Sequence, residues 1–245
     1  MKISIAQTAP IKGNVSANIE AHIKLIELAL TSHADAIFFS ELSLTGYEPE
    51  LARELASNQN DIRLDIFQQI SNRHNIIIGL GLPTAIESQI RISMIIFEPE
   101  KPRQTYSKQQ LHSDEFPYFE KGIEQLIIKT DSRNLAPAIC YESLLPAHAD
   151  TAFTLGADVY IASVAKSAST IKKAYDHYPR IAKKYKMPVL MANSIGFCDN
   201  FMSVGQSSVW TSKGKLVGQL DDKTEGVLIF DTETEEIIGK ISTNN

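Results

Sequence analysis

Apolar and polar positions follow two alternating patterns along the chain. Short apolar runs of strand length are separated by longer stretches in which apolar residues recur every three or four positions, which is the period of an amphipathic helix. In the first such stretch Asn14 is a candidate N-cap, and Ile19, Ile23, Ile26 and Leu30 share one helical face. The chain is therefore predicted to have a mixed α/β fold.

The same patterns assign the other elements. Helices are predicted over residues 14–32, 61–74, 146–155 and 169–186. Strands are predicted over residues 2–7, 36–40, 76–82, 90–97, 105–109, 123–129, 135–140, 159–164 and 189–193, and further strands with a turn at Gly214 between residues 207 and 229. No linker or repeat divides the chain, so residues 1–245 are predicted to form one domain, with a doubly wound parallel sheet as the open alternative.

Composition and charge limit the classes of partner. The 245 residues are 43% hydrophobic, as in ordinary globular proteins, and the formal net charge of -5 argues against nucleic acid or an anionic membrane as the main partner. No apolar run approaches the roughly 20 residues that span a bilayer, and the opening MKISIAQTAP lacks the features of a signal peptide. We therefore expect a cytoplasmic protein, and the net charge leaves room for a small anionic substrate, because the local charge of a pocket need not follow it.

Motifs for cofactors and metals are absent. The chain has no phosphate-binding loop, and Gly79-Leu-Gly81 lacks the third glycine of a dinucleotide fingerprint. Two cysteines are too few for a cysteine-rich zinc site. His148-Ala-Asp150 is a lone fragment and is interpreted as a surface or helix-capping pair. Neither a cofactor nor a metal is predicted.

Three reactive side chains lie at the ends of predicted strands, where α/β proteins usually carry their chemistry. Glu41 follows AIFFS, Lys108 lies in TYSKQQ, and Cys140 ends LAPAIC just before a predicted helix, whose N-terminus would favour a thiolate. Each also has a purely structural explanation: a capping carboxylate, a solvated lysine and a core thiol. Cys198, in SIGFCDN, is expected to be a core thiol.

Together, the three segments resemble the carbon–nitrogen hydrolase (nitrilase) superfamily. SELSLTGY, YSK and CYES contain Glu41, Lys108 and Cys140 in the order and context of that family's catalytic Glu, Lys and Cys. Glu115 matches the family's second glutamate, since an aromatic pair and a glycine follow it. The resemblance extends from KISIAQ through GQSSVWTSKGKLVGQL, which is most of the chain.

The resemblance implies a fold and a mechanism. The family fold is a four-layer α-β-β-α sandwich, and its members commonly assemble as homodimers or larger oligomers. Cys140 is expected to attack an amide carbon and form a thioester, with Glu41 as the base. The Lys108 ammonium and the backbone N–H of Tyr141 are expected to hold the oxyanion, while Glu115 holds Lys108 and orients the substrate or water.

Departures from the family pattern leave the substrate open. Residues 144–147 read LLPA where the family often has R-F-P-E, and residues 180–184 replace the usual R-A-x-E-N. The short chain favours a stand-alone amidase acting on a small amide or carbamoyl compound over a glutaminase domain. A nitrilase, or a non-catalytic binding protein that retains the fold, stays an alternative. Side chains expected near the entrance are Tyr47, Tyr118, Glu142 and Lys166, with Lys166 as a candidate ligand for a substrate carboxylate.

Overall fold

The computed structural model describes residues 1–242 and reproduces the predicted alternation of strands and helices. The helices are α1 Val15–Leu30, α2 Ala52–Leu55, α3 Asp65–His74, α4 Pro146–Thr154 and α5 Ala168–Tyr185. The strands are β1 Lys2–Gln7, β2 Ala36–Phe38, β3 Ile77–Ile86, β4 Gln89–Phe97, β5 Gln104–Ser107, β6 Ile128–Lys129, β7 Asn134–Ile139, β8 Val159–Val164, β9 Val189–Asn193, β10 Ile195–Cys198, β11 Phe201–Val204, β12 Ser208–Trp210, β13 Leu216–Gln219, β14 Gly226–Asp231 and β15 Ile237–Ile241.

The strands form two large sheets and one hairpin. The first sheet has the order β15-β14-β1-β2-β3-β4-β5, the second has the order β13-β12-β9-β8-β7-β6, and β10 pairs with β11 alone. The central pairs β1–β2, β2–β3, β7–β8 and β8–β9 are parallel, whereas the outer pairs are antiparallel. The central strands are buried on both faces, which explains their continuous apolar runs.

Three apolar clusters show how the sheets and helices pack against one another. Phe38 of the first sheet and Ile161 of the second belong to one core between the sheets. On the outer side of the first sheet, α1 and α3 bury residues such as Phe67. On the outer side of the second sheet, α4 and α5 bury residues such as Tyr178. The molecule is therefore a four-layer α-β-β-α sandwich, and the predicted fold class is confirmed.

Local details agree with most of the predicted elements. The Asn14 side chain accepts a hydrogen bond from the Ala17 N–H at 3.2 Å, which confirms the predicted N-cap. The predicted strand over residues 123–129 is wrong for most of its length, since only Ile128 and Lys129 pair with β7. The sequence patterns also missed α2 and the β10–β11 hairpin. Within residues 1–242, no helix has the length and apolar character that crossing a bilayer demands.

Candidate active site

Glu41 lies in a tight turn that directly follows β2. The turn is fixed by β3, because the Leu44 N–H donates to the Gly81 carbonyl at 2.9 Å and the Gly81 N–H donates to Ser43 Oγ at 3.2 Å. A Cβ on Gly81 would lie 2.5 Å from the backbone nitrogen of Leu42, so only glycine allows this approach. The packing holds the buried Glu41 carboxylate in one place.

Lys108 lies between two buried carboxylates. Its Nζ donates to Glu41 Oε1 at 2.8 Å and to Glu115 Oε1 at 2.5 Å, and all three side chains are buried. Glu115 also accepts from the Tyr47 hydroxyl at 3.0 Å and from the His112 N–H at 2.8 Å. The third N–H of the Lys108 ammonium therefore has no carboxylate partner within residues 1–242.

Cys140 follows β7 in a left-handed backbone conformation, with φ 48°. This conformation is unfavourable for a residue with a Cβ and persists where neighbouring contacts enforce it. Here the Cys140 N–H donates to the Ser163 carbonyl at 2.9 Å, and Ser143 Oγ donates to the Cys140 carbonyl at 2.5 Å. The thiol lies 3.8 Å from the Ala165 carbonyl oxygen. Within residues 1–242, the next backbone N–H, that of Tyr141, has no acceptor.

Burial and the neighbouring charges set the protonation of Glu41, Lys108 and Cys140. Burial raises the pKa of Glu41 above its usual range although Lys108 opposes the shift. Burial would lower the pKa of Lys108, but Glu41 and Glu115 raise it, so the ammonium keeps its charge. Burial, and secondarily Glu41, raises the pKa of the Cys140 thiol to about 11. The resting thiol is therefore protonated and needs a base.

The expectation of a thiolate stabilised by a following helix is wrong. Residues Glu142–Leu144 form a single 3₁₀ turn after Cys140, and α4 begins only at Pro146. A single short turn has only a small helix dipole. Burial therefore raises the pKa of the thiol by more than this dipole lowers it.

Only two of the four side chains expected near the entrance line the cavity. Tyr47, Lys166 and Cys140 line a cavity of about 610 Å³, whereas Tyr118 is 39% exposed and is not among its lining residues. Glu142 is fully buried behind the nucleophile, so its expected position at the entrance is corrected.

The Glu142 carboxylate instead joins the segments that carry Lys108 and Cys140. It accepts from the Gln109 N–H at 2.6 Å, from the Ile139 N–H at 2.7 Å and from the Tyr106 hydroxyl at 2.6 Å. The interpretation of His148 as a surface residue is also wrong, since its buried ring contacts the hydroxyls of Tyr106 and Tyr160 at 2.8 and 2.7 Å. These contacts make a polar layer behind the nucleophile.

Several cavity residues were not predicted. Phe201 of β11 lines the cavity, and its ring centroid lies 5.7 Å from that of Tyr47. His177 and Arg180 line it from α5. A signal for the hairpin was present, since Asp199-Asn200 separates two apolar runs by two residues, a spacing typical of a hairpin turn. Across residues 1–242, no group of three or more His, Cys, Asp or Glu side chains is placed to hold a metal ion.

Comparison with known families identifies the class of this chain. The profile of the carbon-nitrogen hydrolase family matches residues 2–239, so the chain belongs to the carbon-nitrogen hydrolase family. The chain is 25% identical over 260 residues to a probable nitrilase from Schizosaccharomyces pombe, covering 96% of this chain and 90% of that protein.

A second group of relatives is longer than this chain. A glutamine-dependent NAD(+) synthetase from Thermotoga maritima is 24% identical over 246 residues, covering 96% of this chain and 42% of that protein. The chain thus spans about two fifths of the length of this relative.

Solved structures agree with the fold. An amidase from Nesterenkonia sp. AN1 superposes with a TM-score of 0.86 at 21% identity, covering 94% of this chain and 92% of the amidase. In another structure of that amidase, acrylamide is added to the active-site cysteine. At these identities the likeness shows a shared fold.

Proposed function

We propose that this protein hydrolyses a non-peptide carbon–nitrogen bond of a small amide through a thioester on Cys140. One observation carries the proposal: the Lys108 ammonium is held between the buried carboxylates of Glu41 and Glu115, and Glu115 lines the same cavity as Cys140. Such an arrangement places a base, a nucleophile and a fixed positive charge in one desolvated site.

In the first step, Cys140 Sγ bonds to the amide carbon as its proton passes to Glu41. Glu41 Oε2 is suited to this transfer, because it is buried and has no hydrogen-bond partner within residues 1–242. The carbonyl oxygen takes the negative charge, which the remaining Lys108 N–H and the Tyr141 N–H stabilise. Glu41 returns the proton to the nitrogen, the C–N bond breaks, and ammonia or an amine leaves.

In the second step, a water replaces the departed amine. Glu41 accepts a proton from this water, whose oxygen attacks the thioester carbon. The C–S bond then breaks, Cys140 is protonated again, and the carboxylic acid is released. Glu115 does not exchange protons in this scheme, since its role is to hold Lys108 and orient the water. No histidine is required near the nucleophile, in contrast to cysteine–histidine hydrolases.

Replacing the nucleophile tests the proposal. Cys140→Ala and Cys140→Ser are expected to lower ammonia release from a panel of small amides by more than about 10³-fold, because the covalent step is lost. Cys198→Ala is the matched control, since this second thiol is buried outside the cavity lining and should leave turnover unchanged. Wild-type turnover by Cys140→Ala on any substrate of the wild-type enzyme contradicts the mechanism.

Labelling of the wild-type protein with iodoacetamide provides an independent test of the nucleophile. Burial raises the pKa of both thiols to about 11, so the difference between them lies in access and in the neighbouring base. Mass spectrometry is expected to find rapid labelling at Cys140 and slow labelling at Cys198. A Cys140 that does not react with any small electrophile favours a non-catalytic binding protein.

Glutamine is a second candidate substrate. The sequence similarity to glutamine-dependent NAD(+) synthetases over nearly the whole chain favours its inclusion. The panel therefore contains glutamine, simple amides, carbamoyl compounds and, because of the probable nitrilase relative, small nitriles. Preferential release of ammonia from glutamine identifies the chain as a glutaminase rather than a general amidase.

A further inference from the structure

The cavity contains a second buried ammonium that the proposed mechanism leaves unused. Lys166 follows β8 and is only 2% exposed. Lys108 pairs with two carboxylates, whereas Lys166 forms no ion pair with any carboxylate within residues 1–242. A buried charge without a partner is costly. Because Lys166 lines the cavity, a bound molecule is in a position to supply that partner.

The backbone around Lys166 is fixed from both sides. Its N–H donates to Asn193 Oδ1 at 2.8 Å, and its carbonyl accepts from the Val204 N–H at 3.0 Å and from Ser203 Oγ at 3.2 Å. Asn193 is fully buried and also donates to the Gly205 carbonyl at 2.7 Å. These contacts join the end of β8 to β9 and to the β10–β11 hairpin. The backbone that carries the Lys166 side chain is therefore held in place beside the cavity.

The other charges at the cavity favour an anion near Lys166. Two of the three lining carboxylates already have partners, because Glu115 bonds Lys108 at 2.5 Å and Asp114 bonds His112 at 2.5 Å. Asp176 is the third, and it lies on α5 among further basic side chains. Those that line the same cavity from α5 are Lys173, His177 and Arg180. Within residues 1–242, the buried Nε2 of His177 has no hydrogen-bond partner.

We propose that Lys166 binds a carboxylate on the acyl part of the substrate, so that the preferred substrate is the monoamide of a dicarboxylic acid. The inference rests on the proposed function, in which ammonia leaves and the acyl part stays bound to Cys140. The cavity of about 610 Å³ has room for an acyl chain that reaches from the thioester carbon to a second charged end.

A purely electrostatic role is the competing explanation. Lys166 counteracts the rise that burial causes in the pKa of the Cys140 thiol, and does so more strongly than Lys108. In that role, loss of the ammonium would slow the reaction with every amide. In the role of a carboxylate ligand, it would slow only the reaction with anionic amides. The two roles therefore separate on a pair of substrates that differ only in charge.

Succinamate and succinamide form such a pair, since they differ only by a carboxylate in place of an amide. The wild-type enzyme is expected to favour succinamate in kcat/KM. Lys166→Met should lower the ratio of kcat/KM for succinamate to kcat/KM for succinamide by roughly 10- to 100-fold, mainly through a higher KM for succinamate. Any effect of Lys166 on the Cys140 thiol falls on both amides alike and leaves this ratio unchanged. Lys166→Arg should restore part of the preference. Equal losses on both amides, or no preference in the wild type, overturn the proposal.

A binding measurement separates this inference from the proposed function. The Cys140→Ala protein is titrated calorimetrically with each amide, and the titration is repeated in Cys140→Ala/Lys166→Met. Tighter binding of succinamate that is lost with Lys166 supports the anion site, even if the wild-type enzyme hydrolyses neither compound and the amidase proposal fails. Equal affinity for the two amides, or binding of neither, overturns the anion site.

Discussion

At the residue scale, the proposed reactive pair is a neutral thiol beside a carboxylate rather than a thiolate beside a cation. Burial keeps the Cys140 thiol protonated at neutral pH, since it raises the pKa to about 11. The same burial makes Glu41 a stronger base than an exposed glutamate. Lys108 keeps its charge because two carboxylates contact it. In the proposed mechanism, proton transfer and attack are thereby coupled within one desolvated site.

The pH dependence of kcat/KM follows from this protonation. In the proposed mechanism Glu41 acts as the base only when ionised, and burial raises its pKa above the ordinary value of 4.5. Activity should therefore be lost, as pH falls, at a higher pH than an ordinary glutamate would give. The measurement is kcat/KM for one amide across the acidic and neutral range. Because Glu41 interacts with Lys108 and Cys140, the midpoint belongs to these groups together. A midpoint at or below 4.5 contradicts Glu41 as the buried base.

Single residues differ in how far the sequence reveals their roles. Glu41, Lys108 and Cys140 stand at strand ends in recognisable contexts, so each was identifiable as a candidate before the structure. The burial of Glu142 was not identifiable from the sequence, because it depends on a contact with Gln109, 33 positions away in the chain. The local sequence shows which reactive side chains are present, whereas their hydrogen-bond partners depend on tertiary packing.

At the scale of elements, Gly122 controls where the Lys108 segment lies. The Gly122 N–H donates to the Lys108 carbonyl at 2.7 Å. A Cβ at this position would lie 2.0 Å from the Ser107 carbonyl oxygen, so any side chain forces the end of β5 away. After this contact with the end of β5, the segment pairs with β7 only from Ile128.

Gly122→Ala is expected to misplace Lys108 without removing any catalytic group. Overpacking should lower the free energy of unfolding by about 1–3 kcal/mol, and displacement of the ammonium should lower kcat by roughly 10- to 100-fold. Urea denaturation and steady-state kinetics measure the two effects. Gly239→Ala in β15 is the control, since its Cβ would meet Leu228 at an ordinary 3.4 Å. Wild-type kcat in Gly122→Ala would show that this contact does not position Lys108.

Elements were predicted well where burial is regular and poorly where it is not. The central strands are buried throughout and α1 has one apolar face, so apolar periodicity reveals both. The β10–β11 hairpin escaped because it exposes Phe197 and Met202, which obscures the alternation expected of a strand with one buried face. Its contribution to the cavity through Phe201 therefore became evident only in the structure.

At the scale of the whole molecule, the outer helix layer over the second sheet leaves apolar side chains uncovered. Phe153 at the end of α4 and Leu155 just after it are each 48% exposed. The Phe153 ring packs on the buried Tyr185 of α5, with centroids 5.2 Å apart, so the exposed apolar side chains lie where α4 ends against α5. Exposed apolar surface of this kind commonly marks an interface between protein chains. We propose that the protein forms a homodimer, with the α4–α5 surface as its interface.

Light scattering coupled to size exclusion tests this assembly. The wild-type protein is expected at twice the mass of the chain or more, and Phe153→Glu should shift it to the monomer, because a buried unpaired carboxylate opposes association. Ile62→Glu is the matched control: Ile62 is 81% exposed just before α3, on the opposite outer layer, so this change should leave the mass unaltered. A wild-type monomer contradicts the homodimer. A dimer that persists in Phe153→Glu supports the homodimer but contradicts an interface at α4.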